Sequence, residues 1–181
     1  KGRRAVTIRS DGGTMEDVTL DGLYIHDING WNPKGNEDNG AAISFGANGQ
    51  TYIDGLTIEN CLIKDVTRDG ITGGGYTGTR PWGWNSWDKQ DGVPLRHKNV
   101  VIRNNVLDTI AGDGIVPGGT YEVLVEHNLV SHASNNPTPY PNMSGNAKSN
   151  LSAAVWPFDA DNSIFQYNEV CYTGVPRGTE V

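Results

Sequence analysis

Five stretches of the chain repeat one pattern of apolar and polar positions. The stretches LTIENCLIKDV, beginning at Leu56, and VVIRNNVLDTI, beginning at Val100, place their apolar residues almost identically. The same spacing recurs in VTLDGLYIHDI, VLVEHNLVSHA and SIFQYNEVCYT. No stretch offers a long amphipathic helix, whereas short apolar runs separated by polar residues and glycine predict strands joined by bends. The repetition predicts a stack of similar strand-and-bend units.

Four positions of the pattern are predicted to point into a shared core. The first position holds Leu20, Ile58, Ile102, Val125 and Phe165. The position five residues later holds Ile25, Ile63, Leu107, Val130 and Val170. Three residues further on stand Ile28, Val66, Ile110, Ala133 and Thr173. A further apolar position, which closes each turn of the chain, holds Ile43, Ile71, Ile115 and Val155.

One position inside the pattern changes from apolar to polar along the chain. Three residues after the first apolar position stand Leu23, Cys61, Asn105, Asn128 and Asn168. Equivalent residues of stacked strands lie next to each other, so the amides of the three asparagines can hydrogen-bond to the units above and below. The pattern predicts an asparagine ladder at this bend.

The spacing of the copies predicts the architecture. Ile102 and Val125 are 23 residues apart with nothing inserted, which suits three short strands and three bends per coil of a parallel β-solenoid. The dense leucine spacing of leucine-rich repeats is absent, and repeated N-x-I and D-G-I segments favour a right-handed parallel β-helix. We therefore expect an all-β chain, a single β-helix domain over residues 1–181 with about five coils. Longer gaps predict loops at about 29–39, 75–98 and 134–150.

Composition agrees with this fold and narrows the possible partners. Apolar residues make up 36% of the chain and charged residues 19%, and the 24 glycines suit a turn-rich β protein. The formal charge of −7 disfavours nucleic acid as a partner. No apolar run has the length of a membrane span. Cys61 and Cys171 stand at different places in their copies, so we expect two small buried hydrophobes rather than a disulfide.

The five copies resemble the right-handed β-helix repeats of carbohydrate-active proteins of the pectate-lyase-like superfamily. The resemblance covers about residues 18–174, and AAVWPFDADNSIFQYNEV is similar to a segment of secreted bacterial β-helix proteins of polysaccharide degradation. It implies a polysaccharide or oligosaccharide partner and a secreted or cell-surface location, extracellular or periplasmic, with no signal peptide in this chain. The NTDGID, GHG and Asp-Pro-His patterns of related families are absent, so no catalytic set is carried over.

Two pairs of aspartates are candidate catalytic residues. Asp69 and Asp113 occupy equivalent positions in adjacent coils, so their backbones should lie about 4.8 Å apart. Glycoside hydrolysis uses two carboxylates about 5 to 9 Å apart. Asp159 and Asp161, in WPFDADN, could act as acid and base or nucleophile, or could bind a cation such as calcium. Ordinary turn chemistry is the alternative for both pairs. No cofactor is required by the catalytic roles, and a bound cation such as calcium is the alternative role of Asp159 and Asp161.

Aromatic residues supply the candidate substrate contacts. The predicted loop at 75–98 holds Trp82, Trp84 and Trp87, whose indole faces can pack against the C–H faces of sugars. Trp156 opens the WPFDADN segment, and His132, beside the insertion at 134–150, could orient a substrate. A small core inside the loop is the alternative role of the three loop tryptophans, and a structural hydrogen bond is the alternative role of His132.

Two classes of function fit these observations. The first is an enzyme that acts on a polysaccharide, a glycoside hydrolase with paired carboxylates rather than a lyase, because an acidic chain suits a polyanionic substrate poorly. The second is a non-catalytic solenoid that binds glycans or serves as an adhesin or tailspike module. The strand-like first residues and the short tail after the fifth copy lead us to expect a further segment of the same β-helix.

Overall fold

The computed structural model describes residues 4–29, 40–48, 51–76, 89–90, 93–94, 96–135 and 152–174. These residues contain seventeen β-strands and no helix. The strands are β1 (Arg4–Ser10), β2 (Met15–Asp21), β3 (Tyr24–Ile28), β4 (Ala41–Asn48), β5 (Ile53–Glu59), β6 (Leu62–Val66), β7 (Asp69–Tyr76), β8 (Lys89–Gln90), β9 (Val93–Pro94), β10 (His97–Arg103), β11 (Val106–Ile110), β12 (Ile115–Pro117), β13 (Thr120–Glu126), β14 (Leu129–Ala133), β15 (Ala160–Asp161), β16 (Ile164–Gln166) and β17 (Glu169–Cys171).

Three parallel sheets are built from strands that are distant in sequence. Sheet A has the order β1-β4-β7-β12, sheet B runs from β2 through β5, β10 and β13 to β15 and β16, and sheet C has the order β3-β6-β11-β14-β17. The chain visits sheets A, B and C in that order and then returns to sheet A. In the last pass a bridge from Ile115 to Val155 takes the place of a strand in sheet A. The prediction of an all-β chain with parallel strands is confirmed.

The register of these sheets brings the repeated apolar positions together. In sheet B, Ile58 lies between Leu20 and Ile102. Sheets A and C align their own repeated positions in the same way. Most of these side chains are fully buried in one core. In the last copy, Val170 is 47% exposed, since no described strand follows β17 in sheet C.

The bends between strands rely on residues with left-handed backbone conformation. Between sheets B and C, five equivalent residues have positive φ: Gly22, Asn60, Asn104, His127 and Tyr167. A second set within sheet C comprises Asp27, Asp65, Thr109, His132 and Tyr172. Asn, Asp and Gly tolerate this conformation best, which accounts for many of the polar positions in the repeat.

Between sheets B and C, the residue that follows the positive-φ position is an asparagine in the last three repeats, and these asparagines hydrogen-bond to one another. The side-chain Nδ2 of Asn105 donates to Oδ1 of Asn128 at 3.0 Å, and Nδ2 of Asn128 donates to Oδ1 of Asn168 at 2.9 Å. The backbone N–H of Cys61 donates to Oδ1 of Asn105. Cys61 is buried, Cys171 is partly exposed, and both are free thiols. This column of amides satisfies backbone groups inside the core.

The loops predicted at 29–39 and 134–150 lie almost wholly outside the described residues, and the loop predicted at 75–98 needs one correction. The strand β7 extends to Tyr76 and β10 begins at His97, so both ends of the loop expected at 75–98 are strand. Within it, β8 and β9 form an antiparallel pair. In the part of the chain that the structure describes, no helix is long and apolar enough to cross a membrane.

Candidate functional site

A pocket of about 270 Å³ opens on the outer face of sheet A. Thr7, Ser44 and Thr72 lie side by side in the register of β1, β4 and β7 and line this pocket with hydroxyl groups. The apolar neighbours of each of these residues in its strand point into the core. Because successive side chains of a strand point to opposite faces, the three hydroxyl groups point outward. The pocket is lined by both polar and apolar groups, a combination typical of ligand sites.

Three glycines, Gly46, Gly73 and Gly74, line the pocket. A Cβ atom added to Gly46 would lie 2.7 Å from the carbonyl oxygen of Gly74, so a side chain cannot be placed there without a shift. A Cβ atom added to Gly74 would meet nothing within 4 Å. Gly74 therefore faces free space above the sheet.

Asp69 is the buried carboxyl group of the pocket wall. It stands at the first position of β7, and only 4% of its surface is exposed. Burial raises the pKa of Asp69 from its ordinary value of 3.8 to about 6, against the lowering effect of the Arg68 guanidinium. The nearby carboxyl group of Asp113 raises the pKa of Asp69 further, and Arg4 lowers it. A carboxyl group with this pKa can hold a proton at mildly acidic pH.

Asp69, Asp113 and Arg68 form one cluster at the bend that leads into sheet A. The backbone N–H of Asp113 donates to Oδ1 of Asp69 at 3.3 Å, and Oδ1 of Asp113 accepts from the N–H of Ala153 at 2.7 Å. Nη1 of Arg68 lies 3.4 Å from Oδ1 of Asp69 and 3.9 Å from Oδ2 of Asp113. Burial also raises the pKa of Asp113. Each aspartate thus accepts a hydrogen bond from a backbone N–H group, as turn residues do, and each has a raised pKa.

The second aspartate pair has a different environment. Nη2 of Arg96 lies 2.8 Å from Oδ1 of Asp159, and Nη1 lies 3.4 Å from Oδ2 of Asp161. Nη1 of Arg96 also donates to the carbonyl oxygen of Asp159 at 2.8 Å. Asp159 and Asp161 are thus ion-paired to a buried guanidinium, and neither lines the pocket of sheet A. Among the described residues no group of three His, Cys, Asp or Glu side chains could hold a metal ion.

The candidate aromatic and histidine contacts are spread over different parts of the chain. Trp82, Trp84 and Trp87 lie outside the described residues. Trp156 is half-buried, and its ring centroid lies 5.0 Å from that of Phe158. His132 lies in sheet C, where its Nδ1 is 2.9 Å from Oδ1 of Asp108, so it is on another sheet from the pocket.

Sequence reasoning missed several residues of this region. The hydroxyl groups of Thr7, Ser44 and Thr72 were not singled out, although Ser44 and Thr72 each follow the repeated apolar residue by one position. His97 was also missed as a core residue. Its Nδ1 accepts the N–H of Ile53 at 3.0 Å, its ring packs edge-on against Phe45, and burial lowers the pKa of His97 to about 4.

Comparisons with known proteins support the fold. No family model matches the chain. A lacto-N-biosidase of Bifidobacterium longum subsp. longum is 32% identical over an alignment 186 residues long, which covers 90% of this chain and 11% of that protein. Two crystal structures of the GH136 lacto-N-biosidase from Eubacterium ramulus, a selenomethionine derivative and the native protein, superpose with TM-scores of 0.79 and 0.77 at 23% identity.

The comparisons differ in how much of each protein they cover. The two superpositions include 97% and 93% of this chain, but 30% and 29% of the solved chain. The chain therefore spans about a tenth of the length of the curated relative and less than a third of the solved one. The superpositions show that this chain has the same fold as that part of the Eubacterium ramulus protein.

Proposed function

We propose that this chain belongs to a glycoside hydrolase that acts on an oligosaccharide, with Asp69 as the general acid. The observation that carries the proposal is a buried carboxyl group, with its pKa raised to about 6, in the wall of an open polar pocket. The resemblance to a lacto-N-biosidase supports the reaction class. Enzymes of this class need one carboxyl group that is protonated near the working pH.

The proposed chemistry begins with the proton on Asp69. A sugar bound in the pocket brings its glycosidic oxygen to this carboxyl group, which donates the proton to that oxygen as its bond to the anomeric carbon breaks. A water molecule forms the new bond to the anomeric carbon, and the proton that it releases leaves through solvent and restores the carboxyl group of Asp69. Asp113 acts through Asp69, since its carboxyl group raises the pKa of Asp69. Arg68 contacts both carboxyl groups and limits that rise. This reaction needs no metal, and the Arg96 guanidinium beside Asp159 and Asp161 opposes a calcium ion there.

We further propose that the three sheets form a right-handed parallel β-helix of the pectate-lyase-like superfamily. The cyclic visiting order of the sheets supports the helix, and the hydrogen-bonded Asn105, Asn128 and Asn168 support an asparagine ladder within it. A secreted or cell-surface location, which the resemblance to secreted β-helix proteins implies, is part of the same proposal.

A non-catalytic glycan-binding module is the second candidate. One oxygen of Asp69 and one oxygen of Asp113 accept backbone N–H groups, as turn residues do. If these contacts are the whole role of the two aspartates, the pocket binds sugar and cleaves nothing.

The experiment is an assay of sugar release by the full natural polypeptide. The short substrate is a nitrophenyl glycoside of the disaccharide after which lacto-N-biosidases are named. The extended substrate is an oligosaccharide that carries this disaccharide at one end. A panel of plant and microbial glycans is included. We expect release from both substrates by the wild type and loss of release from the extended substrate in Asp69→Asn. The matched control is Asp108→Asn, in which the altered carboxyl group accepts a hydrogen bond from the Ser131 hydroxyl and lies in another sheet. Release from the extended substrate by Asp69→Asn at the wild-type rate contradicts the proposal.

A further inference from the structure

The outer face of sheet A continues beyond the pocket towards a pair of aromatic side chains. Val116 lies beside Thr72 in the register of β12 and β7. The next segment joins through the bridge between Ile115 and Val155, and the N–H of Trp156 donates to the carbonyl oxygen of Ile115 at 2.9 Å. The row of outward-facing residues that contains the pocket hydroxyl groups therefore continues through Val116 to Trp156.

Trp156 and Phe158 form a compact aromatic surface at this end of the face. Their ring planes are inclined by 55°, and Phe158 is 43% exposed. The two ring centroids lie 5.0 Å apart, so the rings form one continuous surface. Sugar rings pack their C–H faces on such aromatic surfaces, and exposed aromatic patches often mark binding sites.

Two glycines lie on this face, Gly74 in the pocket lining and Gly118 beside Phe158. Gly74 carries no side chain above the sheet, and a Cβ atom there would meet nothing within 4 Å. A Cβ atom on Gly118 would lie 2.7 Å from the carbonyl oxygen of Gly73 and 3.6 Å from that of Phe158. Gly118 therefore lies between β7 and Phe158, and neither glycine has a side chain that could block a ligand.

We infer that the pocket and the aromatic pair are two ends of one oligosaccharide cleft that crosses the strands of sheet A. From β1 to the Trp156 segment is four strand spacings, or roughly 19 Å, enough for several linked sugar rings. The inference rests on the proposed function in that the sugar in the pocket is the one whose bond is cleaved. The sugar on the far side of that bond stacks on Trp156 and Phe158.

Two variants test the cleft through the Michaelis constants of the short and extended substrates. Trp156→Ala removes the stacking surface, so its KM should rise about 10-fold for the extended substrate, with kcat retained and the short substrate unaffected. Gly74→Val places a branched side chain over the floor and should raise KM for the extended substrate by at least as much. The matched controls are Tyr24→Ala, an exposed aromatic of sheet C, and Gly12→Val, whose Cβ atom also meets nothing within 4 Å.

The outcomes separate the cleft from the hydrolase. If sugar is released and both variants keep the wild-type KM for the extended substrate, the cleft is wrong and the hydrolase stands. If nothing is released, calorimetric titration with the extended substrate replaces KM, and weaker binding by both variants upholds the cleft without the hydrolase. Absence of binding by the wild type contradicts both. If Trp156→Ala does not fold, Gly74→Val decides the question, because its Cβ atom meets nothing within 4 Å.

Discussion

The backbone N–H of Asp113, two residues before β12, donates to the carboxylate of Asp69, the first residue of β7, at 3.3 Å. This hydrogen bond lowers the pKa of Asp69, while burial and the carboxyl charge of Asp113 raise it, and the raising effects prevail. This contact belongs to the bend of the fold, and the residue that accepts it is the proposed proton donor. The two roles can be separated by pH and by substitution with asparagine.

The first prediction concerns the pH dependence of catalysis. If Asp69 donates the proton, kcat/KM should fall as the pH rises through about 6, where the carboxyl group loses its proton. Arg68→Met removes the guanidinium that lowers the pKa of Asp69, so the fall should move to higher pH. The measurement is a pH profile of sugar release, with Arg103→Met, which breaks an exposed ion pair to Glu59, as the control. If Arg68→Met does not change the pH at which kcat/KM falls, Asp69 is not the general acid.

The second prediction concerns the stability of Asp69→Asn. The folded pKa of Asp69 lies above its ordinary value, so the folded state loses stability as the pH rises from about 4 to about 6. Asparagine keeps an acceptor for the Asp113 N–H and carries no charge. The variant should therefore gain about 1 to 3 kcal/mol over the wild type at pH 7.5, and much less at pH 3.5. Urea unfolding at both pH values measures the difference, and a loss of stability at pH 7.5 would count against the assigned pKa.

The third prediction concerns His97, whose pKa is shifted in the opposite direction. Burial lowers the pKa of His97 to about 4, so the unfolded chain binds a proton between about pH 6.5 and 4 that the folded chain does not. Stability from this residue is lost as the pH falls through that window. His97→Phe leaves the buried N–H of Ile53 without its acceptor and should cost about 1 to 3 kcal/mol at pH 7. Unfolding at pH 7 and pH 5 should show a smaller loss on acidification in the variant, and an equal loss would refute this role.

The fourth prediction concerns the amide column in the core. Oδ1 of Asn128 accepts the N–H of Asn105, and Nδ2 of Asn128 donates to the carbonyl oxygen of Ile102. Leucine at this position leaves both buried groups unpaired, so Asn128→Leu should destabilise the fold by about 3 kcal/mol. Asn168→Leu should cost less, because Asn168 is part-buried and water can replace its bonds. Equal costs in thermal or urea unfolding would show that burial does not set the difference.

The repeat could be recognised from sequence because parallel stacking places equivalent residues beside each other. Ile58 and Ile102 were matched by pattern, and they are neighbours in sheet B. The pocket could not be recognised in the same way, since its floor and hydroxyl groups belong to outward positions that carry no apolar signal. The Arg96 partner of Asp159 lies 63 residues away in sequence, and no repeat links the two.

The role of Asp69 is tested most directly by the leaving group of the substrate. A dinitrophenyl leaving group departs without a proton, whereas the sugar of the extended substrate needs one. For Asp69→Asn, we predict a loss of about 100-fold or more in kcat/KM on the extended substrate and a rate close to wild type on a dinitrophenyl glycoside of the same disaccharide. An equal loss on both substrates, or no loss on either, would contradict the assignment of Asp69 as the general acid.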